Sequence, residues 1–138
     1  METAGYSGTL LAKKLGLKEN YKIILYNQPE YYFELFTDLP ATFDVLELLK
    51  PQSADFIHLF LVCTKELTTM FNEYKASLKK DGIIWISWPK GVSKIKTDLN
   101  RDEIRKYVLS NGLVDVKVAA IDKVWSGLKF VYRIKDRN

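Results

Sequence analysis

Cysteine and histidine each occur once in these 138 residues, as Cys63 and His58, and that scarcity removes several chemistries. One cysteine cannot form an intrachain disulfide, so the fold needs no covalent staple and suits a reducing compartment. Zinc sites need clusters of cysteine and histidine, which one of each cannot supply. A hydrolytic triad needs a histidine beside a nucleophile. His58 instead lies inside the apolar run 56–62, and it reads as a buried histidine bonded to a neighbour. Cys63 has no second histidine to activate it and reads as an inert thiol. Long apolar runs are missing too. Stretches such as Ile57 to Cys63 are far too short to cross a bilayer. The opening Met1-Glu2-Thr3-Ala4-Gly5-Tyr6 lacks the basic start and apolar core of a secretory signal. A cytoplasmic protein without membrane partners is the expectation.

Charge of one sign is not concentrated either. Twenty-one basic residues face 17 acidic ones, a net +4. The basic runs Lys13-Lys14, Lys79-Lys80, Arg101-Arg105-Lys106 and Arg133-Lys135-Arg137 fall on different elements and alternate with acids. They read as a solvated surface, and nucleic acid is not an expected partner. With 47% hydrophobic residues and no linker or repeat, the chain reads as one domain over residues 1–138.

What is present is an alternation of elements. Residues 8–15 read as a short helix ended by Gly16, and Lys22 to Tyr26 as a first strand. Asn27 or Gln28 is placed to cap a following helix, with Pro29 in its first turn and its end before Pro40. Phe43 to Leu48 reads as a second strand or a helical turn. Asp55 to Val62 is apolar on both faces apart from His58, as inside a parallel sheet. Thr64 is placed to cap a helix whose Leu67, Met70, Phe71, Tyr74 and Leu78 form one buried stripe. Lys80-Asp81-Gly82 reads as a turn before a strand from Ile83 to Trp88. Asn100, with Glu103 three residues on, predicts a helix from Arg101 closed by Asn111-Gly112. Val114 to Ile121 and Leu128 to Ile134 read as a hairpin. The sum is an α/β domain: three-layer and Rossmann-like, with a mostly parallel sheet, helices on both faces and a C-terminal antiparallel β-hairpin.

Two resemblances follow from these segments. Ser77-Leu78-Lys79-Lys80-Asp81-Gly82-Ile83-Ile84-Trp85-Ile86 and Gly112-Leu113-Val114-Asp115-Val116 resemble the late sheet of class I methyltransferases. Tyr6-Ser7-Gly8-Thr9-Leu10, Trp88-Pro89-Lys90, Thr97-Asp98-Leu99 and Trp125-Ser126-Gly127-Leu128 resemble a bacterial family, domain of unknown function 3052. The resemblance implies a methyltransferase-like topology and brings no activity with it.

The turn after the first strand bears on function. Rossmann cofactor sites place glycines there so that the backbone can approach the cofactor. Here it reads Tyr26-Asn27-Gln28-Pro29-Glu30-Tyr31-Tyr32, without a glycine. Glu47 stands where a ribose-binding carboxylate is expected, yet the missing glycines disfavour S-adenosylmethionine, and no cofactor is predicted. Ligands of open α/β sheets gather at the carboxyl ends of the strands. That edge should collect Asn27, Gln28, Cys63, Thr64, Trp88, Lys90 and Ser93, with Trp125 and Ser126 facing Trp88 across one crevice. Lys90, Ser93, Lys94 and Lys96 could then hold a small anionic ligand beneath tryptophan faces. The leading expectation is a non-catalytic or regulatory domain with a degenerate methyltransferase-like fold. The alternatives are an enzyme, either an atypical S-adenosylmethionine-dependent methyltransferase or another transferase, and an oligomeric interaction module.

Overall fold

The computed structural model describes residues 10–137. The Tyr6–Thr9 part of the resemblance, the start of the first helix and residue 138 lie outside them. Helix α1 (Leu11–Leu15) leads into β1 (Tyr21–Tyr26), a 3₁₀ turn at Tyr32–Leu35, and β2 (Phe43–Val45). Then come β3 (Ala54–Phe60), α2 (Thr64–Ala76), β4 (Leu78–Pro89), α3 (Arg101–Ser110), β5 (Leu113–Ala120) and β6 (Trp125–Tyr132). The six strands form one sheet in the order β2-β1-β3-β4-β6-β5. Strands β2, β1, β3 and β4 pair in parallel; β6 runs antiparallel to both β4 and β5. The mixed α/β sheet expected from the alternation is therefore present.

Successive strand residues point to opposite faces, and two apolar layers result. Ile24, Ile57, Leu59, Ile84 and Ile86 meet Leu67, Phe71, Ile104 and Val108 of α2 and α3. Ile23, Phe56, Phe60 and Trp85 meet Leu11, Leu15, Tyr32 and Leu35. Trp85 also ties α1 to the sheet, its indole N–H donating to the Leu15 carbonyl at 2.8 Å. Gly16 ends α1 in the left-handed region at φ 85°, as its position predicts.

Four local expectations are corrected. The helix expected after Asn27 is only the single 3₁₀ turn. Tyr32, Leu35 and Phe36 are buried while Tyr31 and Phe33 are half-buried, so bulky side chains spread beyond the single apolar stripe of an amphipathic helix. Thr64 is not a cap: Cys63 occupies that position without a side-chain bond, and the Thr64 amide donates to Asp98 Oδ1 at 2.7 Å. The second strand stops at Val45, short of Leu48. Lys80-Asp81-Gly82 is not a turn but part of β4, at a register shift against β3.

Gly82 is needed there for close backbone approach. A Cβ at this position would lie 3.0 Å from the Lys79 carbonyl oxygen and 3.1 Å from that of Asp55. Gly82→Ala is expected to destabilise the protein by about 1–3 kcal/mol, read by chemical denaturation. An unchanged midpoint would mean that the backbones yield easily.

Helix α3 begins as the sequence predicts, with Asn100 Oδ1 accepting the Glu103 amide at 2.9 Å. His58 is fully buried and satisfied at both ring nitrogens. Nδ1 lies 3.0 Å from the Tyr32 hydroxyl, and Nε2 lies 2.7 Å from Ser87 Oγ. The ring stacks on Phe60 at 4.2 Å. Its pKa is held down to about 3 by burial.

Candidate functional site

Strand β1 has β2 on one side and β3 on the other, so the order reverses between β1 and β3. Ligands of open α/β sheets bind at the carboxyl end of such a switch point. Here the chain leaves β1 through Asn27, whose φ of 55° lies in the left-handed region. Asparagine tolerates this conformation better than most residues. Its side chain reaches across the gap, Nδ2 donating to the Phe60 carbonyl at 3.2 Å. The tight turn is therefore made without glycine.

Behind it, Glu66 organises the end of β3. One carboxylate oxygen accepts the Val62 amide at 2.8 Å and faces the Cys63 thiol at 3.8 Å; the other accepts the Tyr26 hydroxyl at 3.0 Å. Burial first, and then the Glu66 carboxylate, push the Tyr26 hydroxyl above its ordinary pKa.

Two grooves open on this edge, and Cys63 lines both. The first, about 440 Å³, runs along α2 between Tyr26, Cys63, Met70 and Tyr74. Tyr26 and Tyr74 meet edge to face at 5.9 Å. Its charged lining is Lys65 against Glu66 and Glu73, an excess of negative charge. The second, about 610 Å³, lies between the ends of β3 and β4, where Val62, Cys63 and Ile95 are joined by Lys90, Lys96 and Asp98. Here two lysines face one aspartate, and that aspartate is engaged by the Thr64 amide. The grooves thus carry opposite charge and share one wall. Among the described residues, no group of three or more His, Cys, Asp or Glu is placed to hold a metal ion. None of their helices is long and apolar enough to cross a membrane.

The residues expected at the edge are only partly brought together. Asn27, Cys63 and Lys90 stand there. Gln28 is exposed just beyond the turn, and Glu47 is exposed two residues past the end of β2. Thr64 is the first residue of α2. Ser93 accepts the Ile95 amide at 3.4 Å within its own loop. The tryptophan crevice does not form. Trp88 is buried in the layer beneath α2 and α3, Trp125 in the layer beneath α1, on the opposite face of the sheet. The register explains this: Trp125 pairs with Pro89 and Ser126 with Trp88, so the two rings leave the sheet in opposite directions. The half-buried Ser126 goes with Trp88 rather than with Trp125. The α2 residues of the first groove were hidden by their spacing. Met70 and Tyr74 fit the stripe of a core helix, yet both are only half-buried.

The fold is similar to that of solved S-adenosylmethionine-dependent methyltransferases. A methyltransferase of this class from Aquifex aeolicus superposes with a TM-score of 0.60 at 15% identity, over 87% of this chain and 86% of that one. DhpI in complex with S-adenosylhomocysteine gives 0.60 at 6% identity, over 91% and 83%. The 1,6-didemethyltoxoflavin-N1-methyltransferase of Burkholderia thailandensis, with its substrate and S-adenosylhomocysteine bound, gives 0.58 at 12% identity, over 88% and 74%. No protein-family model and no curated protein matches the chain.

At these identities the likeness shows the fold, and it corrects two expectations. A non-catalytic or regulatory domain was expected, with no cofactor and with S-adenosylmethionine disfavoured. Against both stand two matched structures that are methyltransferases and two that hold S-adenosylhomocysteine. S-adenosylmethionine was disfavoured because glycines let the backbone approach the cofactor; here the turn is made by Asn27 in the left-handed region instead.

Proposed function

We propose that this chain is a transferase of the S-adenosylmethionine-dependent class acting on an anionic acceptor. The observation that carries the reading is the pair of oppositely charged grooves joined at Cys63 on the switch-point edge. Both volumes fall in the range of small-molecule sites. The residues fit the cofactor through their chemistry. Tyr26, Met70 and Tyr74 offer aromatic and thioether surface to a planar base. The excess of glutamate suits a cation and repels phosphate, favouring a sulfonium cofactor over a nucleotide. When bound, the cofactor supplies a methyl group on a positively charged sulfonium.

The remaining tasks fall to the chain itself. Lys90 and Lys96 attract the anionic acceptor into the second groove. Val62 and Ile95 line it with apolar surface that limits water beside the acceptor. Glu66 positions the shared wall through its bonds to Val62 and Tyr26. Membership of the bacterial family designated domain of unknown function 3052 belongs to this proposal, supported by the segments from Trp88-Pro89-Lys90 to Trp125-Ser126-Gly127-Leu128.

Calorimetric titration tests the reading. S-adenosylmethionine is expected to bind, ATP to bind much more weakly, and Met70→Arg to weaken S-adenosylmethionine by about tenfold or more through added bulk and positive charge. No binding heat, or affinity unmoved by Met70→Arg in a folded protein, would remove the first groove from consideration.

A further inference from the structure

The fold gathers lysines that the sequence scatters. Lys117 of β5 and Lys129 of β6 stand directly opposite each other in the antiparallel ladder. They share the face of Trp85, which pairs with Lys129. Like charges so placed destabilise a sheet. Lys18 adds positive potential at Lys129, while Lys117 and Lys90 add it at Lys14. Lys14 is fixed by donating to the Ala120 carbonyl at 3.2 Å. Lys129 Nζ comes within 3.7 Å of where a side chain on Gly16 would begin. None of these five lysines forms an ion pair with a described residue. Acids on the neighbouring elements are engaged elsewhere: Asp38 by the Ala12 and Lys13 amides, Glu19 by residues 41–42, and Asp122 by Tyr31 and the amides of its own turn.

The five form a track in the order Lys18, Lys129, Lys117, Lys14 and Lys90, the last a wall of the second groove. Lys90 lies five residues beyond Trp85, the partner of Lys129, so this part alone covers roughly 16 Å at about 3.3 Å per residue. That matches about five nucleotides of a stacked strand at about 3.4 Å each. We propose that the track binds the phosphate backbone of a nucleic-acid strand and leads it to the carboxyl edge of the sheet. As the identity of the acceptor, this rests on the transferase reading; as a binding surface, it stands on the lysines alone.

The test is fluorescence anisotropy with labelled single-stranded DNA and RNA of about twelve nucleotides, without cofactor, over a range of salt. Five contacts predict a slope of log affinity against log salt near −3.5 for a single strand. Lys117→Glu should weaken binding by about tenfold and flatten the slope, while leaving Tm unchanged or raised because it places an opposite charge across from Lys129. A loss of binding with rising stability cannot come from misfolding. Salt-independent binding, no binding at ~50 mM salt, or unchanged affinity in Lys117→Glu would overturn the proposal. Poly-glutamate competing as well as the oligonucleotide would overturn the assignment to phosphate. Met70→Arg should bind the strand normally. Failure of oligonucleotide binding beside intact S-adenosylmethionine binding rejects the track alone, and the converse result rejects the cofactor groove alone.

Discussion

Between pH 7.5 and pH 5 the protein is expected to lose about 2 kcal/mol of stability, through His58. Burial holds its pKa near 3 in the folded protein, against 6.5 for the ordinary imidazole. Within that window the unfolded chain binds a proton that the folded chain refuses. Stability is therefore complete above about pH 7 and falls as pH drops through 6.5 towards 3, by roughly 1.4 kcal/mol per unit in the steep part. Since His58 is the only histidine and carboxylates titrate mainly below pH 5, this interval belongs to it. Neither Tyr32 nor Ser87 carries a charge to offset a buried imidazolium. Urea denaturation at stepped pH measures the loss, and imidazole nitrogen NMR should show a neutral ring in the folded protein at pH 5. A ring titrating near 6.5 without loss of stability would contradict the buried network.

Replacing Asn27 should separate its two duties. Asn27→Val places a β-branched residue at φ 55°, at about 1–2 kcal/mol, and loses the bond to Phe60, worth about 1 kcal/mol. A total loss of about 2–3 kcal/mol is expected. S-adenosylmethionine affinity should fall with it, since the turn shapes the edge. Asn27→Gly keeps the conformation freely and loses only the side-chain bond, so its stability should stay within about 1 kcal/mol of the parent. Denaturation of both variants decides the matter. Glycine and valine variants destabilised equally would show that the side-chain bond, not the backbone conformation, governs the turn.

These two residues also show how far the sequence could be read. His58 was legible as a buried histidine because apolar residues flank it on both strand faces. The parallel strands were legible for the same reason, and α3 through Asn100. Asn27 was read as a helix cap, since nothing in the order of residues marks its left-handed φ of 55°. The expected tryptophan crevice failed at a register that spacing does not reveal: Trp88 and Trp125 share an edge of the sheet but not a face. Met70 and Tyr74 followed core spacing, and only their half-burial shows the groove they line. Most of the lysine track was hidden from a scan for basic runs: only Lys14 lies in such a run, and strand pairing brings Lys117 and Lys129 together.

The proposed cofactor site is the groove beside the switch point. A crystal structure of the chain grown with S-adenosylmethionine or S-adenosylhomocysteine tests it most directly. The adenine is expected against Tyr26, Met70 and Tyr74, with the sulfur end turned towards Cys63 and the second groove. Ligand density elsewhere on the molecule, or an empty groove at saturating ligand, would contradict it.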